Sequence, residues 1–575
     1  MSMIKAPLRF YPVLFLIGAL LLFMPELGRQ STVSDAISYI TQHAASTLGF
    51  SFTISYVLCV ICSLIRFSKP KTGFISSIIL TVLLFIYSFI SVYVYKAFGI
   101  QNIASTLFLI LQTNTGEASE FLKTYITDSH FICTTLIYLA IGGITIALYI
   151  FKTRYIQFLL WIRLNGPVVL LLAWAIAFAT NKISSVIPST IIPREHQVYQ
   201  DIVSVLSAKV FKVNIDTNRM IYDNRLNATT NSSTNIVLII GESFNRHHSS
   251  LYGYDLETCP QMFKHNPYVF KDVISPFNRT VECIKYLLSM EEANNDSSRD
   301  SQLLCPIMKN AGYNVIFYSN QIVKKNDTEC WDMPINLIFD NPIVEKESFN
   351  FRNSKKYEFD GELIDNFLKD TSLFENKKGQ NFTIIHLMGS HISYSDRFPQ
   401  HEVLFTVDSI KRNELTTPQK QIVANYDNSI LYNDKQVSRI LDYYDDKDAI
   451  IIYVSDHGDE ANDFRIHTGR NCSFDGLPPA SLHCQFDIPF IIFATDKYKE
   501  KHPEIIAEIE QSLDKPFMSD WLPYLILYLG EVNSGWNESN KCIISPKYDS
   551  SRKRILNCGI NYDEVCSPTD KVIGF

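Results

Sequence analysis

The stretch Asn235-Ile-Val-Leu-Ile-Ile-Gly-Glu-Ser243 decides the fold class of this chain. It opens with consecutive apolar side chains, which is typical of a parallel strand covered by helices on both faces. Similar runs, separated by segments of helix length, follow at residues 314–319, 382–387, 449–455 and 488–493. The pattern predicts an α/β domain with a mostly parallel sheet. In such sheets, ligands bind beyond the carboxyl ends of the strands.

Residues with metal-ligand chemistry stand at three of these strand ends. The first strand leads into Glu242, the strand at 382–387 into Met388-Gly-Ser-His391, and the strand at 449–455 into Asp456 and His457. Carboxylate and imidazole groups are ligands of divalent metals such as Zn²⁺. Either carboxylate alone is more simply explained as the cap of a following helix. Together, the three strand ends favour a metal site.

The rest of the chain divides by charge and hydropathy. Its 575 residues are 47% hydrophobic and 19% charged, whereas a typical soluble domain carries about 25% charge. Residues 1–180 hold 11 basic and 5 acidic side chains, and the remainder has a net charge of −13. This excludes a single soluble domain, a disordered chain and a nucleic-acid binder with a broad basic face. It indicates an apolar membrane part followed by an acidic soluble part.

Five stretches in the first part approach the ~20 apolar residues needed to cross a bilayer. They lie at about 10–25, 45–65, 72–95, 131–151 and 157–180. The first lacks a convincing signal-peptide cleavage site and other spans follow it, which favours an anchor. The positive-inside rule assigns three short segments to the cytoplasm, through Lys5, Arg9, Arg66, Lys69, Lys71, Lys152 and Arg154. An odd number of spans then places everything after residue 180 outside the cytoplasm.

The predicted domains are therefore a five-span membrane part at 1–180, a linker at 181–234 and an exported α/β domain at 235–575. The polar run at 227–234 indicates a solvated connector. In an oxidising compartment the nine exported cysteines favour up to four disulfides and one unpaired thiol; these are Cys259, Cys283, Cys305, Cys330, Cys472, Cys484, Cys542, Cys558 and Cys566. Zinc binding through cysteine is the alternative, although this part has no C-x-x-C pair.

Several motifs together resemble those of the phosphoethanolamine transferases, inner-membrane enzymes that modify lipopolysaccharide and belong to the alkaline phosphatase/sulfatase superfamily. The motifs are residues 235–254 (NIVLIIGESFNRHHSSLYGY), 388–391 (MGSH), 455–460 (SDHGDE) and, in an external loop, 112–122 (QTNTGEASEFL). The resemblance covers nearly the whole chain, five spans included. It implies a multi-pass protein of the bacterial inner membrane with a sulfatase-like catalytic domain in the periplasm and a Zn²⁺ cofactor.

The resemblance also implies a threonine nucleophile at the start of a helix. Residues 278–283 (NRTVEC) match best, and the following Leu287-Leu-Ser289 is similar to the branch that modifies the lipopolysaccharide core. Metal coordination lowers the pKa of a hydroxyl, and a helix N-terminus offers N–H groups to a phosphate. Taken alone, Thr280 fits a helix cap better; within the matched pattern it is the predicted nucleophile. The competing hydroxyls are Ser243, Ser275 and Ser289.

The remaining site residues are carried over from the same resemblance. The main zinc ligands would be Glu242, Thr280, Asp456 and His457. His391 and a later histidine would bind phosphoryl oxygens or a second zinc. The family places that histidine about a dozen residues after the Asp-His pair, which leaves His467 and His483 as alternatives; a solvated surface role is the other explanation for each histidine. Asn114 and Glu117 would meet the donor headgroup, or simply solvate their loop.

The predicted reaction transfers phosphoethanolamine from phosphatidylethanolamine to lipopolysaccharide through Thr280, with core heptose favoured over lipid A. A sulfatase would need a C/S-x-P-x-R segment, and the near match at 566–570 (CSPTD) lacks the arginine. Phosphoglycerol transferases share the five-span layout and the threonine, so they are the closer alternative. A non-catalytic, membrane-anchored sensor would have lost ligands or nucleophile, whereas every matched position here holds a competent residue type.

Overall fold

The computed structural model describes the chain in several ranges: residues 11–28, 51–62, 70–98, 126, 129–150, 227–293, 295, 302–323, 339, 341–374, 376, 380–471, 477–556, 559–567, 570 and 572–573. These residues fall into two compact units. The described helices of one unit are apolar and lie within the first 150 residues, and the other is an α/β unit whose described residues start at Asn227.

The described part of the first unit contains four apolar helices: α1 (Pro12–Gly28), α2 (Ser51–Cys62), α3 (Pro70–Phe98) and α4 (Ser129–Ile150). By length and composition, α3 and α4 can cross a membrane, through Thr72–Lys96 and His130–Leu148. Only 22% of each of these apolar windows is buried, unlike the core helix of a soluble protein. The structure thus has helices at four of the five predicted spans, two of them long enough to cross. The predicted fifth span lies outside the described residues.

Eleven strands are described in the α/β unit: β1 (Asn235–Gly241), β2 (Tyr268–Phe270), β3 (Val273–Ile274), β4 (Asn314–Ser319), β5 (Phe351–Arg352), β6 (Asn381–His386), β7 (Ala449–Ser455), β8 (Glu460–Ala461), β9 (Thr468–Gly469), β10 (Phe490–Ala494) and β11 (Phe517–Met518). Seven form the central sheet in the order β2-β10-β7-β1-β6-β4-β5. The strands from β7 to β5 are parallel, and β10 runs antiparallel to both of its neighbours.

The helices described in this unit are α5 (Pro260–Phe263), α6 (Thr280–Leu287), α7 (Leu304–Asn310), α8 (Pro342–Ser348), α9 (Asp360–Phe374), α10 (Thr417–Tyr444), α11 (Pro479–Phe486), α12 (Asp496–Lys501), α13 (Pro503–Glu510), α14 (Leu522–Leu529) and α15 (Tyr562–Val565). Successive residues of β1 belong to two different cores. Ile236 and Leu238 pack with residues of α6, α7 and α14. Val237 and Ile239 pack with residues of α9 and α10. Both faces of the strand are therefore buried, as its unbroken apolar sequence predicts.

The five predicted strands are confirmed to within two residues at either end. Two short edge strands, β2 and β5, were not predicted, because three or two residues carry too little periodicity to be recognised. The run at 227–234, predicted to be a solvated connector, alternates between exposed residues (Asn227, Thr229, Asn231 and Ser233) and buried ones (Ala228, Ser232 and Thr234). Thr229 pairs with Asn533, and the Thr230 hydroxyl donates to the carbonyl of Gly530 at 2.6 Å. Thr234 is only 1% exposed.

The predicted disulfides are not found among the described residues. Six of the nine cysteines predicted to be exported are described and all six are free: Cys259, Cys283, Cys305, Cys484, Cys542 and Cys566. The first five are buried, and burial raises the pKa of each of these thiols. They act as small apolar residues of the core, a common use of cysteine that its count in the sequence does not reveal. Cys330, Cys472 and Cys558 lie outside the described residues.

Candidate metal centre

Two adjacent parallel strands bring the two acidic residues predicted as metal ligands to one edge of the sheet. β1 and β7 pair in register up to Gly241 opposite Ser455. Glu242 and Asp456 are the next residue of each strand, so they leave the sheet side by side, and His457 follows Asp456. Helix α6 begins nearby with Thr280. Register alone therefore explains why residues more than 200 positions apart in sequence share one site.

The four residues predicted as main metal ligands converge. The Thr280 hydroxyl lies 3.1 Å from Glu242 Oε2 and 3.3 Å from His457 Nε2. His457 Nε2 lies 3.1 Å from Asp456 Oδ2 and 3.5 Å from Glu242 Oε1. All four side chains are buried. The three buried carboxylates Glu242, Asp456 and Asp459 share one guanidinium, that of Arg470. Because burying carboxylates in excess of the counter-charge is costly, this geometry favours a further cation.

The donor set fits a divalent metal ion. Ligand atoms of Glu242, Asp456 and His457 lie within 4.8 Å of one another, and Asp456 Oδ2 is buried with no hydrogen-bond partner in the described part of the chain. His457 Nδ1 is 2.9 Å from the carbonyl of Gly458, which can only accept. Nδ1 therefore carries the proton, and the Nε2 lone pair faces the cluster as a metal ligand requires.

Burial governs the pKa values of these groups. Burial raises the pKa of Asp456 to about 6, against the opposing effect of the Ser243 N–H bond. Burial and the neighbouring Arg470 lower the pKa of His457 to about 3. The imidazole is therefore neutral at pH 7, as metal binding requires, and a cation at the site would lower the pKa of Asp456 back towards its ordinary value.

Three further residues hold Glu242 in place. Ser243 donates to Glu242 Oε1 at 2.6 Å, and Gln321 Nε2 donates to Oε2 at 3.0 Å. Gly389 has φ +54°, and a Cβ on it would lie 2.7 Å from the Glu242 backbone nitrogen and oxygen. Only glycine fits this close approach. The Ser243 hydroxyl is thus a hydrogen-bond donor to Glu242, a predicted metal ligand.

The other competing hydroxyls bond to backbone. Ser275 donates to the carbonyl of Phe277 at 2.7 Å, and Ser289 accepts from the N–H of Glu291 at 3.3 Å. Arg279 occupies the N-cap position of α6, and the Thr280 hydroxyl bonds to Glu242 and His457. Thr280 therefore does not cap this helix, which was the alternative explanation for this residue.

The three histidines predicted for phosphoryl or second-metal binding lie in different surroundings. His391 is half-buried, its Nδ1 is buried with no described hydrogen-bond partner, and the charges of Glu242, Arg397 and Arg470 act on it. Burial lowers its pKa to about 3. His467 Nε2 is likewise buried without a described partner, but Arg465 is the charge that acts on it. Of these two, His391 is the one on which a predicted metal ligand, Glu242, acts electrostatically.

His483 belongs to a separate cluster around Asp487. Its Nδ1 and His247 Nε2 lie 2.9 and 2.8 Å from Asp487 Oδ2, and Arg246 lies at 2.8 Å from the same atom. The Tyr562 hydroxyl donates to the other oxygen of Asp487. Burial raises the pKa of Asp487, but Arg246 and the two imidazoles outweigh it and hold that pKa well below the usual value. The cluster is a closed charge network in which Arg246 already supplies the cation.

Arg470 is a site residue that the sequence analysis missed. The β8–β9 ribbon, with Glu460 opposite Gly469, turns the chain back after His457. Arg470 Nη1 thereby contacts His457 Nε2. Asp459 lies 3.9 Å from the Arg470 guanidinium and accepts a 2.8 Å hydrogen bond from Tyr394. No local motif marks this arginine, since its position depends on a two-residue strand pair.

Asn114 and Glu117, predicted to meet the donor headgroup, lie outside the described residues.

The fold and this centre define a class of protein. A model of the sulfatase family matches residues 234–523, just over half of the chain, and the chain belongs to the sulfatase family. The prediction of an enzyme in this superfamily is confirmed. More particularly, the chain is similar to phosphoethanolamine transferase EptC of Escherichia coli (strain K12), with 24% identity over 579 residues, 93% of this chain and 94% of that protein. It is also similar to the Kdo(2)-lipid A phosphoethanolamine 7''-transferase of the same strain, with 28% identity over 288 residues, 49% of this chain and 48% of that protein.

Solved structures show the same fold. The integral membrane protein lipooligosaccharide phosphoethanolamine transferase A (EptA) from Neisseria meningitidis has a TM-score of 0.54 at 18% identity, over 94% of this chain and 98% of that one. The C-terminal periplasmic domain of EptC from Escherichia coli, in complex with Zn, has a TM-score of 0.51 at 22% identity, over 60% of this chain and 98% of that one. The zinc in that structure agrees with the prediction of a Zn²⁺ cofactor.

Proposed function

We propose that this protein transfers phosphoethanolamine from phosphatidylethanolamine to lipopolysaccharide through a covalent intermediate on Thr280. The observation that carries the proposal is the hydroxyl of Thr280, which lies within 3.3 Å of both Glu242 and His457 at the end of the sheet. The names of the relatives support the transferred group. At this level of identity, donor, acceptor and nucleophile are our proposals.

Glu242, Thr280, Asp456 and His457 would hold a zinc ion. When bound, the zinc would lower the pKa of the Thr280 hydroxyl and neutralise charge on the phosphoryl oxygens. The protein's part is to orient these groups. Ser243 and Gln321 fix the Glu242 carboxylate through one hydrogen bond to each oxygen, and Gly458 fixes the tautomer of His457.

The transfer takes two displacements at phosphorus. In the first, the Thr280 oxygen forms a bond to the phosphorus of the donor lipid, and the bond from phosphorus to the diacylglycerol oxygen breaks. The Thr280 proton, which is donated to Glu242 in the resting site, passes to the leaving diacylglycerol oxygen. In the second, an acceptor hydroxyl or phosphate oxygen bonds to phosphorus, the bond to Thr280 breaks, and the Thr280 oxygen regains a proton from the acceptor or from solvent. His391, which is neutral and shares the field of Glu242, would bind phosphoryl oxygens.

The membrane unit fits a reaction between bilayer lipids. We propose a multi-pass protein of the bacterial inner membrane, with five spans and its α/β domain in the periplasm, in which Asn114 and Glu117 meet the ethanolamine headgroup. Helices α3 and α4 have the length and composition for two of these spans. Core heptose is the favoured acceptor, because residues 278–289 resemble the core-modifying branch. Lipid A, the acceptor in the name of one relative, is the alternative.

The test is release of diacylglycerol from fluorescent phosphatidylethanolamine in proteoliposomes of the full chain. Wild type should release it, and Thr280→Ala should fall to background, whereas Ser275→Ala should remain active because that hydroxyl bonds to backbone. Mass spectra of lipid A and core oligosaccharide from cells with and without the gene then locate the acceptor. Donor cleavage by Thr280→Ala at the wild-type rate, or cleavage of phosphatidylglycerol in preference, would contradict the proposal.

A further inference from the structure

We propose that Arg470 binds the phosphoryl oxygens of the substrate beside Thr280, a role that the sequence motifs left to His467 or His483. The inference rests on the proposed function for the identity of the substrate. The arrangement of Arg470 itself rests on contacts in the α/β unit.

Arg470 and Thr280 both contact the same atom, His457 Nε2. His457 Nε2 accepts from Arg470 Nη1 and lies 3.3 Å from the Thr280 hydroxyl oxygen. A guanidinium and the proposed nucleophile are thus both within contact distance of the same nitrogen. Phosphoryl oxygens carried on Thr280 would therefore lie within hydrogen-bond reach of Arg470.

In the metal-loaded enzyme, Arg470 would lose its present hydrogen-bond acceptor, His457 Nε2. His457 presents the Nε2 lone pair because its Nδ1 proton faces the Gly458 carbonyl. When that lone pair serves a metal, the Arg470 N–H group needs another acceptor. An anionic phosphoryl oxygen is the natural one, since a planar guanidinium donates two parallel hydrogen bonds to such a group.

Neighbouring residues orient the Arg470 side chain and stabilise its positive charge. Asp459 lies 3.9 Å from the guanidinium and is itself held by the Tyr394 hydroxyl at 2.8 Å. The charges of Asp459, Glu242 and Asp456 all act on Arg470. The β8–β9 ribbon sets its backbone, with Gly469 at φ +93° immediately before it. The arginine is therefore positioned before substrate arrives, which limits the entropy cost of binding.

His467 and His483 offer no comparable contact. The charge that acts on His467 is that of Arg465, and His483 is bonded to Asp487 and Asp570. In this chain the cation that follows the Asp-His motif and reaches the ligands is an arginine, thirteen residues after His457.

The experiment measures binding of inorganic phosphate to the zinc-loaded full chain in detergent, by calorimetry, together with zinc content. Arg470→Ala should keep its zinc and bind phosphate roughly 10- to 100-fold more weakly, the loss expected for a hydrogen bond between charged groups. Arg470→Lys should recover part of the affinity, because it keeps the charge without the fork. The matched control is Arg465→Ala, on the same ribbon, whose arginine pairs with Glu460 at 2.9 Å; it should bind phosphate as wild type does.

Unchanged phosphate affinity in Arg470→Ala would overturn the inference, as would loss of zinc from that variant or equal weakening by Arg465→Ala. In turnover of the donor lipid, Arg470→Ala should lower kcat/KM by a similar factor, with partial rescue by Arg470→Lys. The phosphate titration needs no transfer chemistry. A protein that binds phosphate through Arg470 but cleaves no phosphatidylethanolamine would refute the proposed function and leave this inference standing.

Discussion

His248 is a buried cation, and its replacement should destabilise the α/β unit. Its Nδ1 lies 2.6 Å from Asp427 on α10, and its Nε2 lies 2.7 Å from Asp463, next to the β8–β9 ribbon. Burial alone would lower its pKa, but the two carboxylates outweigh burial and raise the pKa to about 10. Against an ordinary value of 6.5, this shift corresponds to about 5 kcal/mol of stabilisation. Breaking a buried ion pair by removing one partner costs about 3–5 kcal/mol, which agrees.

The perturbation is His248→Gln, which keeps the size and one hydrogen bond but removes the charge. Urea unfolding of the full chain in detergent, followed by tryptophan fluorescence, should show a loss of about 3–5 kcal/mol at pH 7. The control is His265→Gln, because His265 faces a largely exposed Asp442 at 3.7 Å and should cost less than about 1 kcal/mol.

The pH dependence gives a second readout. Because the folded pKa of His248 lies above the unfolded one, its contribution is complete below pH 6.5 and is lost as pH rises towards 10. Between pH 8 and 10 this group should lower wild-type stability by about 1.4 kcal/mol per pH unit, a component absent from His248→Gln. A cost below about 1 kcal/mol at pH 7, or equal slopes for the two proteins above pH 8, would refute a charged bridge at this position.

Three further predictions concern the site and the thiols. Gly389→Ala should displace Glu242 and abolish zinc binding, because the added Cβ would lie 2.7 Å from the Glu242 backbone. The control Gly253→Ala, at φ +94° with open space around it, should keep its zinc. The zinc content of the two purified variants tests this prediction. Gln321→Leu should retain zinc but lower kcat several-fold through loss of the 3.0 Å bond to Glu242, and an unchanged kcat would contradict that role. Alkylation of the unreduced, unfolded protein, mapped by mass spectrometry, should label the six described thiols of the α/β unit, and a thiol that stays unlabelled until reduction would contradict this: Cys259, Cys283, Cys305, Cys484, Cys542 and Cys566.

The sequence was most informative where burial is continuous. β1, β4, β6 and β7 are central parallel strands buried on both faces, so their apolar runs marked them to within a residue or two. Glu242, Asp456 and His457 follow such strands directly, and the rule that ligands bind at strand ends placed them together. Thr280 needed the resemblance, because its own sequence surroundings equally suit a helix cap.

The features that were missed depend on contacts distant in sequence or on very short elements. Arg470 reaches His457 only because two-residue strands pair across the β8–β9 ribbon, and Gln321 reaches Glu242 from the end of β4. The antiparallel direction of β10 is a property of the chain's path, which an apolar run does not reveal. The disulfides were expected from the compartment and the number of cysteines, whereas the six described cysteines of the α/β unit are free.

The most direct test of the account is the identity of the residue that carries the phosphoethanolamine group. Zinc-loaded protein incubated with phosphatidylethanolamine, without acceptor, should be quenched in acid, digested and analysed by tandem mass spectrometry. We predict a phosphoethanolamine adduct on Thr280 in the wild-type protein and none in Thr280→Ala or Glu242→Gln. An adduct on Ser243 or another residue, or an adduct that persists in Thr280→Ala, would contradict the account.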